Sequence, residues 1–387
     1  MSGRALFCEP RRIRRGGALT LVFAGVLVAG AATGNLPAPA DRKPAADSAP
    51  SAAPVDRHAE VAEAAEEAMA AGTSPVEAAR RAVSRSGDRW GAVYSPGEYE
   101  EFEDALDGSY TGVGLWARER SGRIEVTRVG SDTPAADAGI RAGDRLRSVD
   151  GTTVDGRPVT EVVSLLRGED TDESAGTTVR LGLERGRRAW SETLRRARLS
   201  RDAVTVDELP GGTTVVKVTA FTKGSGDEVR AAVRRAPADA GIVLDLRGNS
   251  GGLVAEAVAA ASAFLDGGLV ATYDVEGEQR ALHAEPGGDT VRPLVVLVDG
   301  GTMSAAELLT GALQDRGRAV VVGSRTFGKG AVQMPGRLPD GSVAELTVGH
   351  YRTPSGRGVD GQGITPDLEA EEQALERAGT VLAGLGR

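Results

Sequence analysis

The chain is poor in the side chains that most often carry covalent chemistry. It has one cysteine and three histidines in 387 residues. Cys8 stands ahead of the basic cluster "RRIRR" at 11–15 and of the apolar run that follows it. Anything exported beyond that run therefore has no disulfide and no thiol nucleophile, and Cys8 is on the wrong side to be a lipid-modified first residue. A basic excess is lacking as well. The formal charge is −9, and the arginines are scattered after the first cluster, which excludes a general nucleic-acid binder. Long apolar runs are absent with one exception, "GGALTLVFAGVLVAGAA" at 16–32. Behind its positive flank this reads as an export signal or a signal anchor (1–34), with everything after about residue 35 outside the membrane. At seventeen residues the run is short for a spanning helix and slightly long for a cleaved signal core, so length leaves both open.

Residues 35–54 are Pro/Ala-rich without apolar periodicity and read as a linker. An N-terminal helical segment is expected at 55–108. There "EVAEAAEEAMAAG" and "SPVEAARRAVSRS" have helical periodicity and suitable ends, and no catalytic constellation is visible. No residue pattern speaks for or against a homo-oligomer or an activating partner.

"GSRTFGKG" at 323–330 fits the first seven places of the phosphate-binding loop G-x-x-x-x-G-K-[ST] and fails the eighth, where Gly330 stands. A true phosphate loop opens a helix. The sequence after it, "AVQMPGRLPDGSVAEL", instead reads as two short strands around a turn. Lys329 needs another function.

Residues 109–199 read as short strands with one helix. "TGVGL" at 111–115 and "TPAADAGIRAGDRLRSVDG" at 133–151 together resemble a PDZ domain of the circularly permuted bacterial type. The resemblance implies that Gly112, Val113, Gly114 and Leu115 present backbone N–H groups to a peptide's terminal carboxylate and that the next strand pairs with the peptide. The acidic stretch at 169–176 lengthens the loop before the last strand beyond the usual turn.

From 200 to 370 strands and helices alternate, which predicts βαβ units with a mostly parallel sheet and a site at the strands' carboxyl ends. Those ends carry "RGNSGG", "GGTMSA" and "GSRTFGKG". Two serines compete. Ser250 satisfies the nucleophile-elbow pattern G-x-S-x-G. It would need an acid and then a histidine downstream, and only Asp340 followed by His350 offers that order, with His350 in an expected strand. Ser304 begins "SAAE", a capping box for a helix whose buried stripe is Ala305, Leu308, Leu309, Ala312 and Leu313. A hydroxyl at a helix start also serves as an exposed nucleophile, with the N–H of Ala305 available to an oxyanion. With histidine scarce, the base candidate is Lys329.

"GTMSAAELLTGALQDRGRAVVVGSRTFGKGAVQ", preceded by "LDLRGNSGG" and followed by "YRTPSGRGVDGQGITPD", is similar to the carboxyl-terminal processing peptidases, or tail-specific proteases. The similarity runs over roughly 88–367. It implies an α/β (α+β) peptidase core related to the Clp protease and crotonase fold (200–370), an inserted PDZ domain and a C-terminal helix or tail (371–387). It further implies Ser304 as nucleophile, Lys329 as general base, Gln333 as assisting amide, and an oxyanion hole from Gly251, Gly252 and Ala305. No metal or cofactor is called for. Arg247 and Asn249 are expected to fix their loop, and Thr302 and Ala306 stand where the family usually has Ser.

A lysine acting as base must fall from its usual pKa of about 10.4 to roughly 7–8, a bias of about 4 kcal/mol against its charged form. Burial supplies such a bias. Gln333, four residues on, lies about 13 Å away if the strand is extended, so contact with Lys329 requires a bend. The expectation is an exported, membrane-anchored or secreted serine endopeptidase acting on proteins with free C-termini. The alternatives are a silent PDZ adaptor and an esterase using Ser250 and His350.

Overall fold

The computed structural model describes residues 54–385 except 121, 158, 169–174, 210, 276–277 and 372. The expected signal or anchor, the linker up to residue 53 and most of the acidic loop lie outside the described residues. Among the described residues no helix is long and apolar enough to cross a membrane.

The architecture is mixed α/β. A central sheet runs in the order Val204–Glu208, Thr214–Val218, Ile242–Asp245, Leu294–Val298, Val320–Gly323, Leu368–Glu369, parallel except for the first strand. Its inner strands are nearly continuous Val/Ile/Leu, as a sheet covered on both faces requires. Alternate residues serve the two sides. Val216, Leu244 and Val296 join the main core with the helices Ser225–Arg235, Val254–Ala261 and Ala305–Asp315, whereas Val215, Val243 and Val295 meet Ala374, Ala378 and Leu382. The C-terminal helix Ala374–Leu385 is thus part of the core's second layer and not a loose tail.

The predicted strands and helices of the core are all present. A second sheet joins Leu269–Val275 and Glu278–His283, unread in the sequence, to the hairpin Ala331–Arg337/Val343–Arg352, whose two strands and turn the sequence indicated. It closes over the helix Ala305–Asp315. That helix is therefore buried on every side from Ala305 to Leu313, including Glu307 and Thr310, where the sequence showed a single apolar stripe. The hairpin also disposes of the phosphate-loop pattern, because a strand and not a helix follows Gly330.

The N-terminal segment forms the helices Pro54–Ala70, Pro75–Arg85 and Pro96–Leu106, and it adds the strand Ala92–Tyr94 to the second sheet. Val61, Ala65, Ala79 and Val83 pack with Leu338, Ala344 and Leu346 of the hairpin, so the segment is built onto the core.

The PDZ-like region is a sheet in the order Leu115–Arg120, Arg123–Val129, Arg145–Val149, Thr178–Arg185, Arg188–Arg195, with the helix Val159–Arg167 and its own apolar cluster. A two-stranded ribbon, Ser109–Gly112 with Ala197–Ser200, clamps the points where the chain enters and leaves it. Arg196 is buried and donates to the carbonyls of Leu165, Leu166 and Thr178, closing off the helix end.

Candidate active site

Ile242–Asp245, Leu294–Val298 and Val320–Gly323 are adjacent parallel strands, and the loops leaving their carboxyl ends are knitted together. Asp299 Oδ1 accepts the N–H groups of Gly248 and Gly301, each at 2.9 Å. Met303 donates to the Asn249 carbonyl at 2.9 Å and Phe327 to that of Thr302 at 3.0 Å. Arg247 grips Asp245 with Nε and Nη2 at 2.8 and 2.7 Å, while Asn249 Nδ2 donates to Val218 O at 3.0 Å. Both residues hold the loop, as expected from sequence. Thr302 does likewise through its bond to Leu246 O.

Ser304 sits where the loop becomes the helix Ala305–Asp315, at φ 58° and ψ −120°. A non-glycine residue in that region carries about 1–3 kcal/mol of backbone strain, of the kind that persists where the surroundings fix it. Glu307 Oε2 accepts the Ser304 N–H at 2.8 Å, the returning half of the capping box. The forward half is not made: Ser304 Oγ is buried without a hydrogen-bond partner. An unsatisfied buried hydroxyl destabilises the fold. Ser304→Ala is therefore expected to raise stability by about 1 kcal/mol, and Ser304→Gly, which also relieves the positive φ, by at least as much. Urea denaturation reads this directly, and a loss of stability in Ser304→Ala would mean that the hydroxyl has a partner in solution.

Glu307 is more than a cap. Its carboxylate also accepts the N–H of Gly328 at 2.7 Å, the N–H of Lys329 at 2.9 Å and the hydroxyl of Thr326. One buried side chain thus fixes the backbone of Ser304 to that of Lys329. Burial pushes its pKa up, and the four hydrogen bonds pull the other way.

Lys329 is 3% exposed. Burial brings its pKa down to about 8, against the opposing pull of Glu345, Asp88 and Asp360. Gln333 is fully buried. The register of its strand against Val343–Arg352 shifts between Val332 and Gln333, with the extra residue, Val348, on the partner strand. Gln333 Nε2 donates to the carbonyl of Trp90, and its Oε1 has no hydrogen-bond partner. Trp90 also places its ring over Lys329, 5.4 Å from Nζ to the ring centroid. The segment 55–108, read as free of catalytic features, therefore reaches Lys329.

Residues 212–370 match the model of peptidase family S41 and residues 125–181 that of a PDZ domain. The carboxyl-terminal-processing peptidase 3, chloroplastic, of Arabidopsis thaliana is 35% identical over 308 residues, 74% of this chain and 58% of that protein. The carboxy-terminal processing protease CtpA of Bacillus subtilis is 31% identical over 277 residues, 70% and 58% of the two chains. Among solved structures, the photosystem II D1 C-terminal processing protease superposes with a TM-score of 0.50 at 29% identity, over 81% of this chain and 86% of that one. Residues 212–370 are a peptidase family S41 domain. The chain spans about 60% of the length of the curated relatives it matches.

Within this S41 core the three amides named for the oxyanion hole are not equivalent. The Gly251 N–H is already donated to Asn249 Oδ1 at 2.8 Å, which corrects the expectation for that residue. Gly251 instead lies against the nucleophile candidate, since a Cβ on it would stand 2.9 Å from Ser304 Cβ. The Ala305 N–H, at the first position of its helix, has no carbonyl partner inside that helix. Gly252 adopts φ 127° with the Phe221 carbonyl 2.4 Å from where a Cβ would be, so no larger residue fits there.

Ser250 and His350 are not brought together. Ser250 lines a cavity beside Gly251 and Gly252, and His350 lines a different one with Asp274 and Asp360. The acid required by the elbow reading is elsewhere too: Asp340 holds the hairpin turn by accepting from the N–H and hydroxyl of Ser342, and the carboxylate near His350 is Asp360, at 3.8 Å.

In the PDZ domain, Val113 and Gly114 turn their carbonyls to the N–H groups of Ala135 and Gly130, both at 2.9 Å. Gly114 has φ 82°, and a Cβ there would meet Thr133 at 2.3 Å. Leu115 opens an edge strand of the sheet. Such a strand is the element to which an extended peptide adds.

Proposed function

We propose that this chain is an exported serine endopeptidase in which Ser304 attacks the scissile carbonyl, neutral Lys329 takes its proton, and the N–H groups of Gly252 and Ala305 receive the oxyanion. The single observation that carries the reading is the Glu307 carboxylate, which ties the backbone N–H of Ser304, whose own hydroxyl is buried and unbonded, to that of Lys329, whose pKa burial brings down to about 8. The proton on Lys329 then passes to the leaving amine, and water releases the acyl group from Ser304. Gln333 supports the base from the strand that follows it, Ala331–Arg337. The two reacting side chains are not hydrogen-bonded to each other without substrate, and catalytic contacts of this kind tighten in the Michaelis complex.

The edge strand opened by Leu115 supports binding of a substrate's C-terminal segment. A cavity of about 210 Å³, lined by Tyr110 and Arg167 of the PDZ region and by Phe221, Gly251 and Gly252 of the core, supports passage of that chain toward Ser304. The fragment beginning near Asp41 should digest an unfolded protein, and Ser250→Ala should digest it equally well. Ser304→Ala and Lys329→Ala should not. Loss confined to Ser250→Ala would overturn the assignment, and no digestion by any variant would favour the adaptor.

A further inference from the structure

We propose that Trp90, contributed by the N-terminal segment, is a positioning residue for Lys329, its indole covering the ammonium group and keeping water from it so that the amine is held neutral. This rests on the reading of Lys329 as the base.

The indole is fixed on several sides. Asp88 Oδ1 accepts the N–H groups of Trp90 and Gly91 at 3.1 and 3.0 Å, and the same carboxylate takes the Thr347 N–H and hydroxyl at 2.7 Å each. The turn that carries Trp90 is thereby stapled to the strand Val343–Arg352. On its far edge Nε1 donates to Asp360 Oδ1 at 3.0 Å, the oxygen that also receives the Gly330 N–H at 3.1 Å. Phe327 packs on the ring at 5.9 Å between centroids, and the Arg89 guanidinium lies 4.2 Å from its centre. With its carbonyl on Gln333, Trp90 contacts the base, the assisting amide and the loop behind the base.

Two effects of the ring oppose each other. Its face attracts a cation, worth about half to one and a half pH units in favour of the ammonium, and its bulk excludes water, which disfavours the ammonium. The charged groups around Lys329 also favour the ammonium: Glu345 from the strand Val343–Arg352, Asp88 from the turn and Asp360 from the following loop, with Arg57 behind Asp88 at 3.7 Å. Since Lys329 nonetheless titrates near 8 and not at 10.5, exclusion of water outweighs all of them, and Trp90 is the side chain lying over the amine.

The test is a direct titration. Lys43, Lys217, Lys223 and Lys329 are the chain's lysines, so ¹³C-lysine labelling of the full chain gives few signals, and the one lost in Lys329→Arg is assigned. Trp90→Ala should move the Lys329 midpoint upward by about one pH unit or more, a tenfold change in proton affinity. Trp90→Phe, which keeps a ring over the amine, should stay within about half a unit of wild type. In peptidase assays the rising acid limb of Trp90→Ala should move by the same amount, with activity recovering at high pH. A folded Trp90→Ala whose Lys329 midpoint is unmoved overturns the proposal, however much activity is lost. If the Ala variant does not fold, Trp90→Leu decides in the same way. A shifted midpoint with no peptidase activity in any variant upholds the positioning role and overturns the base reading.

Discussion

Glu307→Ala should lower stability by about 3–5 kcal/mol and abolish proteolysis as completely as loss of the nucleophile. Removing the carboxylate strands the N–H groups of Ser304, Gly328 and Lys329 in the interior, and a buried donor without an acceptor costs about 1–3 kcal/mol. The Thr326 hydroxyl, freed at the same time, can rotate to another partner. Glu307→Gln keeps the volume, yet it offers one acceptor oxygen and directs an NH₂ at groups that are themselves donors. It should recover about a third to a half of the stability but not the alignment of Ser304 with Lys329. Urea denaturation with active-site titration separates the two losses. A Glu307→Ala protein as stable as wild type and fully active would mean that the carboxylate does not brace the site.

That brace shows what the sequence could and could not convey. The alternation of strand and helix from Thr214 to Gly323 was legible because parallel strands covered on both faces must be apolar throughout and their helices amphipathic. The three loops followed from the rule that such sheets place their sites at carboxyl ends. Glu307 was legible only as a cap, since a capping box is a local pattern and its contacts with Gly328 and Lys329 lie about twenty residues on. The strain at Ser304 has no sequence signature, because the residue type that relieves positive φ is the one chemistry forbids there. Trp90 was invisible for a plainer reason: a lone aromatic between Arg89 and Gly91 reads as surface or core alike, and only the pairing of Ala92–Tyr94 with Val343–Arg352 carries it to Lys329. The second sheet was missed where Leu269–Val275 and Glu278–His283 offer short runs with weak alternation.

Glu345 is the second residue whose replacement should have a large effect, and the effect should depend on pH. It lies in the central strand of its three-stranded stretch, opposite Ala92 and Pro335, with both carboxylate oxygens buried and unpartnered. Burial pushes its pKa up to about 7 against the opposing attraction of Lys329. A carboxyl whose folded pKa exceeds its unfolded value of about 4.5 contributes stability below pH 4.5 that is lost as pH rises through 7. The loss approaches about 3 kcal/mol by pH 8, at 1.36 kcal/mol per pH unit. Glu345→Leu should therefore be more stable than wild type by about 2–3 kcal/mol at pH 8 and by almost nothing at pH 4, part of the gain being offset because Lys329 loses a neighbouring negative charge. For the same reason the Lys329 pKa should fall below about 8 in Glu345→Gln, moving the acid limb of the peptidase profile to lower pH. Denaturation at the two pH values tests the first claim and the rate profile the second. Equal gains at pH 4 and pH 8 would show that Glu345 is already ionised and solvated in the native state. If the limb is unmoved, Glu345 does not act on Lys329.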